Sequence, residues 1–193
     1  MIRLFFLFGK LESLNVSSLR IFNEAMNAFD LHHESCPCCK AKGNLSFHDG
    51  YSRDLIVYES GRVCCHNIPI KRVMCSSCGH THAVLPSVLV PYGSYSLLFI
   101  LRVLREYFNR RCSVRALCEC FSIAVSTLYT WKRLFLKHKT LWLGVLEDLR
   151  LSAVSFLNGL LASELPSFLG LFFDLSAFSF LQNARSPSPY LSG

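Results

Sequence analysis

The sequence lacks an uninterrupted apolar run of the roughly 20 residues that a membrane-spanning helix needs. Its two most apolar stretches are residues 141–161 and 165–181, and charged side chains interrupt both: Glu147, Asp148 and Arg150 in the first, and Asp174 in the second. We therefore expect buried helices there and no membrane partner. The chain also lacks a small-residue cleavage site after the short apolar run Met1–Phe8, so we expect no secretion signal and a cytoplasmic protein.

Charged residues are scarce, at 17% of the 193 residues, while 51% are hydrophobic. Burial of that much apolar surface offsets the entropy lost on folding, which excludes an intrinsically disordered chain. The charge is unevenly distributed: residues 93–140 carry nine basic and two acidic side chains, and their net charge of +7 equals that of the whole chain. Such clustering predicts contact with a nucleic-acid backbone, because bound Lys and Arg side chains release its counterions.

Composition divides the chain into five segments and predicts an α+β fold, in which a small zinc β-ribbon precedes a mostly α-helical domain. Residues 32–92 hold seven of the ten cysteines and several strand-like runs, whereas residues 93–140 have helical periodicity. The predicted segments are an N-terminal helical segment 1–31, a zinc ribbon 32–92, a helix-turn-helix domain 93–140, an apolar helical segment 141–184 and a disordered tail 185–193.

Two Cys-x-x-Cys pairs predict a structural zinc site. Cys36 and Cys39 form the first pair, and Cys75 and Cys78, followed by a glycine, form the second. Two residues between thiols allow a tight turn to direct both sulfur atoms at one Zn²⁺ ion, and two such turns supply its four tetrahedral ligands. The 35 residues between Cys39 and Cys75 exceed the spacing in a compact ribbon, so we expect a β-hairpin inserted between the pairs.

Several alternative ligands remain open. Cys38 could replace Cys36 or Cys39, and His80 or His82 could replace Cys78, since imidazole also binds zinc. Of the adjacent Cys64 and Cys65, at most one would face an ion from a strand. A thioredoxin-like redox pair is the other class of explanation, and it requires the first motif to open a helix within a βαβ unit.

Residues 113–133 predict a helix-turn-helix. Ser113 is placed to cap a helix that ends near Cys120, with a turn at Ser122 and Ile123 and a second helix from about Val125. The inner faces of the two helices are predicted to hold Val114, Leu117, Cys118 and Phe121, then Leu128, Trp131, Leu134 and Phe135. The usual turn glycine is replaced by Ser122, at a position that favours a left-handed backbone.

The second helix of this motif is expected to enter the major groove of double-stranded DNA, with basic residues on phosphates. The candidate DNA contacts are Arg115, Val125, Ser126, Thr127, Thr130, Lys132 and Arg133. Arg110, Arg111, Lys137 and Lys139 flank the motif and are further candidates for phosphate contacts. The alternative is an ordinary helical hairpin whose basic residues form a solvated face.

The stretch Ile123-Ala-Val-Ser-Thr-Leu-Tyr-Thr-Trp131 resembles the turn and recognition helix of bacterial insertion-sequence transposases. Upstream, the run from Arg72 to Pro86, with Val90-Pro-Tyr92 after it, is similar to an uncharacterised bacterial family of transposase-like proteins. That family joins a zinc ribbon to a helix-turn-helix, and the resemblance covers about residues 34–140. It implies DNA binding that is tied to mobile elements.

The chain offers only four acidic residues after the motif, whereas a transposase active site holds two metal ions with three carboxylates spread along a nuclease fold. The only candidates are Glu147, Asp148, Glu164 and Asp174, within 53 residues, fewer than the roughly hundred of a nuclease fold. We therefore expect no enzyme activity from this chain.

The leading hypothesis is a cytoplasmic, nucleoid-associated DNA-binding protein of mobile-element origin. Its apolar segment 141–184 either packs on the helical domain or forms a homodimer interface. The alternatives are a zinc-ribbon adaptor that binds another protein, and an inactive or truncated transposase that acts with partner chains.

Overall fold

The computed structural model describes residues 1–5, 16–144, 152–162 and 165–182. These residues form a mixed α+β fold, which confirms the predicted class. In chain order the elements are β1 Ile2–Leu4, α1 Ser18–Asn27, β2 Leu45–Glu59, β3 Arg62–Cys75, β4 Thr81–Pro86, α2 Leu97–Asn109, α3 Val114–Cys120, α4 Val125–Gly144, α5 Ala153–Ala162 and α6 Leu165–Ser176.

The strands form one sheet in the order β1-β4-β3-β2. The antiparallel pair β2–β3 is the hairpin predicted between the two cysteine pairs, and it runs from the Leu45–Cys75 pair to the Glu59–Arg62 pair. Its two-residue turn, Ser60 and Gly61, has positive φ at both residues, 50° and 79°. That conformation matches the right-handed twist of the flanking strands.

The N-terminal segment is only partly the helix that its sequence predicts. The helix α1 begins at Ser18, after the N-cap Ser17, whereas β1 pairs in parallel with β4 and aligns Ile2 with Val84. The sheet edge supplies hydrogen-bond partners to this short apolar run, and tertiary pairing overrides local helical periodicity. Leu11 and Leu14, which contributed to that periodicity, lie outside the described residues.

Serine side chains begin the central helices. The hydroxyl of Ser96 accepts a hydrogen bond from the Phe99 N–H at 3.1 Å and caps α2. The hydroxyl of Ser113 accepts one from the Ala116 N–H at 3.2 Å and caps α3, as predicted. Four residues then separate α3 from α4, and Ser122 among them has a φ of 51°, the left-handed conformation expected there.

The ribbon and the helices share one hydrophobic core, and an aromatic seam joins them. The aromatic seam consists of five residues from both parts: Tyr58 of β2, Tyr95 before α2, Phe99 of α2, Phe121 between α3 and α4, and Trp131 of α4. Ring centroids lie 5.0 Å apart for Tyr58 and Phe121, and 4.9 Å apart for Tyr95 and Trp131. The segments 32–92 and 93–140 therefore pack directly against each other.

Backbone hydrogen bonds add to this seam. The Ile56 N–H of β2 donates to the Ser94 carbonyl at 2.7 Å, and the Ser96 N–H donates to the Ile56 carbonyl at 2.9 Å. The chain that leads into α2 therefore continues the edge of the sheet. This arrangement ties the start of α2 to the outer half of the hairpin.

The described part of the apolar C-terminal segment packs on α4. Ring centroids of Phe135 and Phe156 lie 5.8 Å apart, and those of Trp142 and Phe168 lie 4.7 Å apart. Among the described residues no single helix combines the length and apolar composition needed to cross a membrane. The helical residues 153–162 and 167–176 reach that length and composition only when they are taken together, and the chain bends by 119° at the break between them. The tail 185–193 lies outside the described residues.

One titratable residue is enclosed by this packing. His138 is 1% exposed, and its Nδ1 accepts a hydrogen bond from the Leu181 N–H at 2.9 Å. The rings of Phe172, Phe178 and Phe180 surround the imidazole. Burial, with a smaller effect of Lys137, lowers the pKa of His138 to about 4. The ring is therefore neutral in the folded protein at pH 7.

Acidification should destabilise the protein through His138. Because the folded-state pKa lies below the ordinary value of about 6.5, this contribution to stability is complete above that pH and declines as the pH falls towards 4. The free energy of unfolding should fall by up to about 1.4 kcal/mol per pH unit from this residue. Urea unfolding from pH 7.5 to 4.5 should show a shallower decline for His138→Gln, which keeps an acceptor but does not titrate. Identical pH profiles for the variant and the wild type would contradict this assignment.

Candidate functional site

The first cysteine pair lies in a tight turn before β2. The Cys36 N–H donates to the Ala41 carbonyl and the Lys40 N–H donates to the Cys36 carbonyl, both at 2.9 Å. Lys40 has a φ of 64°, which reverses the chain after Cys39. This turn places both thiols on the same side of the loop.

The second pair repeats this geometry at the end of β3. The Gly79 N–H donates to the Cys75 carbonyl at 2.8 Å, and the Cys75 N–H donates to the His80 carbonyl at 3.0 Å. Gly79 has a φ of 70°, which glycine adopts without strain. The Ser76 N–H donates to the Asn44 carbonyl at 2.9 Å, and this bond joins the second turn to the chain that follows the first.

The four cysteine sulfur atoms lie within 4.8 Å of one another. The Cys36 and Cys78 sulfurs are 3.7 Å apart, as are those of Cys39 and Cys75. Four sulfurs bound tetrahedrally to zinc at about 2.3 Å would lie about 3.8 Å from each other. We call this set the four-sulfur cluster. Its geometry fits a metal ion with no remaining open position.

The thiol pKa values differ widely within the cluster. The backbone N–H of Cys39 is the main cause that lowers the pKa of Cys36, to about 5. At Cys78 the backbone N–H of His80 lowers the pKa, but burial and the three neighbouring cysteines outweigh it and raise the pKa to about 12. Thiolates this close repel one another, so part of the set keeps its protons unless a metal ion displaces them.

His82 lies beside the cluster rather than in place of a cysteine. Its buried ring brings Nε2 within 3.3 Å of the Cys36 sulfur, and its Nδ1 is 3.2 Å from the Met1 amino group. An N–H donated to a metal-bound sulfur orients that ligand and stabilises its charge. His82 is thus a supporting residue, which cysteine and histidine spacing alone did not distinguish from a ligand.

The other alternative ligands lie outside the set of four sulfurs, although Cys38 and His80 share Cys78 with it. Cys38 and His80 form an exposed group with Cys78, in which the Cys38 sulfur and the His80 Nδ1 are 3.7 Å apart. Cys64 and Cys65 pair with Val57 and Ile56 near the far end of the hairpin, away from the cluster. Residues 37–39 form a turn and residues 40–44 contain no helix, which differs from the thioredoxin-like context.

Most candidate DNA contacts lie on the accessible surface of α3 and α4. Val125, Ser126 and Arg133 are exposed, while Thr127, Thr130 and Lys132 are half-buried. Arg115 is exposed and forms an ion pair with Glu119 at 2.9 Å. The opposite face of the helix pair is buried through Leu117, Cys118, Phe121, Leu128, Trp131, Leu134 and Phe135, as predicted, while Val114 is half-buried.

Residues 36–131 match the model of a family described as "Domain of unknown function (DUF6431)". The match begins at the first cysteine of the cluster and ends in α4 at Trp131, so it covers the four cysteines and the candidate DNA contacts up to Thr130 but not Lys132 or Arg133. Neither the curated proteins nor the solved structures contain a match to this chain.

Tyr129, which is not among the predicted DNA contacts, is an exposed residue of the matched region. It lies one helical turn after Val125, and its side chain is 46% exposed. The Lys132 Nζ lies 5.6 Å from the centroid of its ring and 5.2 Å from that of Tyr107. The signal was present in the sequence, because Tyr129 is four residues from Val125 and lies on the opposite side of the helix from the buried Trp131.

The four acidic residues that follow the helix-turn-helix segment are described only in part. Glu147, Asp148 and Glu164 lie outside the described residues, and Asp174 is an exposed residue of α6.

The four-sulfur cluster should bind about one metal ion per chain. Cys75→Ser/Cys78→Ser removes two of the four ligands and should abolish stoichiometric binding, because the remaining thiols do not complete a tetrahedron. Elemental analysis of the purified full chain measures this directly. The matched control is Cys112→Ser/Cys120→Ser, which changes two exposed cysteines outside the cluster and should keep the metal. Retention of metal by the first variant would refute the ligand set.

Proposed function

We propose that this chain is a DNA-binding protein of mobile-element origin, which reads duplex DNA with α3 and α4 as a helix-turn-helix and is stabilised by zinc at the four-sulfur cluster. The observation that carries the proposal is the exposed face of α4. At its start this face presents Val125, Ser126 and Tyr129, and Arg133 and Lys137 follow it.

The charge of α4 supports contact with a polyanion. The helix contains four Lys or Arg residues and no Asp or Glu along Val125–Gly144. A solvated helix usually mixes charges of both signs, since opposite charges one turn apart stabilise it. A one-sided cationic helix repels itself in water, and that repulsion is relieved when phosphates neutralise the charge.

The connection between α3 and α4 supports the helix-turn-helix assignment. Four residues join the two helices, a length typical of that motif. The Ile123 N–H donates to the Cys118 carbonyl at 3.0 Å, and Phe121 and Ile123 are both buried. The turn is thereby anchored on both sides of Ser122, which leaves the start of α4 accessible to a ligand.

The cluster supports zinc in a structural role. All-thiolate tetrahedral sites suit zinc or iron, and zinc is the ion of ribbons with two Cys-x-x-Cys pairs. Four protein ligands leave no position for a substrate, so the site organises the fold. The origin from a mobile element rests on the resemblance of Ile123–Trp131 to transposase recognition helices, and no catalytic activity is proposed for this chain.

A protein-binding adaptor is the second candidate function. Leu171 and Leu175 are exposed one turn apart on α6, which is a contact surface of the kind that a partner protein or a second copy would cover. A truncated transposase that acts with partner chains would use the same surface. Both alternatives predict association without dependence on DNA.

Removal of two positive charges from α4 should weaken DNA binding and reduce its salt dependence. The Arg133→Ala/Lys137→Ala variant loses two candidate phosphate contacts, so the slope of log affinity against log salt should fall by about two. Fluorescence anisotropy with a random-sequence duplex, repeated at salt concentrations from about 50 to about 200 mM, measures both the affinity and its salt dependence.

The matched control changes two exposed basic residues of the hairpin, Arg62→Ala/Lys71→Ala. This control should keep most of the salt slope, because its charges lie outside α4. The absence of any salt-dependent DNA binding by the wild type would reject DNA binding and favour the adaptor. Equal slopes for the α4 variant and the control would reject α4 as the contact surface.

A further inference from the structure

We propose that the exposed start of α4 recognises thymine, with Val125 and Tyr129 in contact with C5-methyl groups on the floor of the major groove. The inference rests on the proposed DNA-binding function and adds the base feature that the helix reads. Only thymine presents a methyl group on its major-groove edge among the four ordinary bases.

The two side chains form one apolar surface. Residues four apart on a helix lie on the same face, and Val125 and Tyr129 are 45% and 46% exposed. Trp131 points into the core from the opposite face and Leu128 is buried at the edge of this surface, so α4 cannot rotate to bury the pair without exposing Trp131. Ser126 lies beside the apolar surface and supplies a hydroxyl group next to it.

The positive charge near this surface favours nucleic acid as its ligand. Lys132 and Arg133 follow within one to two turns, and α4 has no acidic residue to pair with an incoming cationic partner. An apolar surface followed along α4 by positive charge matches a groove whose floor carries methyl groups and whose walls carry phosphates. Protein partners with an acidic rim are the competing occupants, and the experiment below separates them.

Tyr129 is held in place before any ligand binds. Its ring packs against that of Tyr107 with centroids 6.5 Å apart, and the Lys132 ammonium group lies over both rings. An aromatic side chain fixed in this way loses little conformational entropy on binding. The exposed part of the ring is therefore a preorganised contact surface next to Val125.

Replacement of thymine by deoxyuridine tests this contact, because it removes methyl groups and leaves base pairing and charge unchanged. A duplex selected by the zinc-loaded full chain from random DNA is compared with its deoxyuridine version by fluorescence anisotropy. Each contacted methyl group should contribute about fourfold in affinity, the equivalent of burying one CH₂ group. Substitution of the contacted thymine by 5-methylcytosine, paired with guanine, should retain more affinity than substitution by cytosine.

The Val125→Ala/Tyr129→Ala variant should bind the thymine and deoxyuridine duplexes equally, whereas Arg133→Ala should weaken both and keep their ratio. Both changes in the first variant are at exposed positions, and its melting temperature shows whether it folds. Equal wild-type affinity for the two duplexes, or a thymine preference that survives in the folded double variant, would overturn this inference and leave DNA binding intact. Loss of all salt-dependent binding in the wild type would instead overturn the proposed function.

Discussion

Four sulfur atoms close the base of a long hairpin whose outer half packs against the helices, and a metal ion at the cluster would hold that base together. Residues 46–52 of β2 are all exposed, so this part of the strand receives little support from the hydrophobic core. The turns at Cys36–Lys40 and Cys75–Gly79 hold it through backbone hydrogen bonds and through the cluster. Because an unfolded chain rarely contains a preformed site, the free energy of metal binding becomes free energy of folding.

The outer half of the hairpin packs against the helices through aromatic side chains. Tyr58 lies against Phe121, which is the first residue of the connection between α3 and α4, and Phe99 of α2 packs on the same ring with centroids 5.8 Å apart. Aromatic pairs of this kind contribute about 0.5–1.5 kcal/mol each beyond their buried area. They offset the unfavourable left-handed backbone at Ser122, a position where glycine is more usual. The turn is thereby fixed, and so is the direction in which α4 presents its first residues.

The sequence predicted the features that depend on local chemistry. Cys-x-x-Cys spacing identified the cluster, the length of the insertion identified the hairpin, and Ser113 identified the start of α3. These signals succeed because a tight turn or a helix cap involves residues only a few positions apart. Exposure along α4 was predicted less well, because Tyr129 is a large aromatic residue of a type that is usually at least partly buried.

Long-range pairing could not be predicted in the same way. The alignment of Ile2 with Val84 and the contact of Tyr58 with Phe121 each join residues more than 60 positions apart. No periodicity within one segment specifies such partners. His82 illustrates the same limit, since its role beside Cys36 follows from the fold of β4 and not from its distance to Cys78 along the chain.

The proposed function requires that the four-sulfur cluster and α4 form one cooperative structure, in which metal binding supports DNA binding. The most direct test titrates the zinc-loaded full chain with a chelator and measures bound metal and duplex affinity in the same samples. We expect both to decline together and added Zn²⁺ to restore both. Full duplex affinity in the metal-free protein would contradict this expectation.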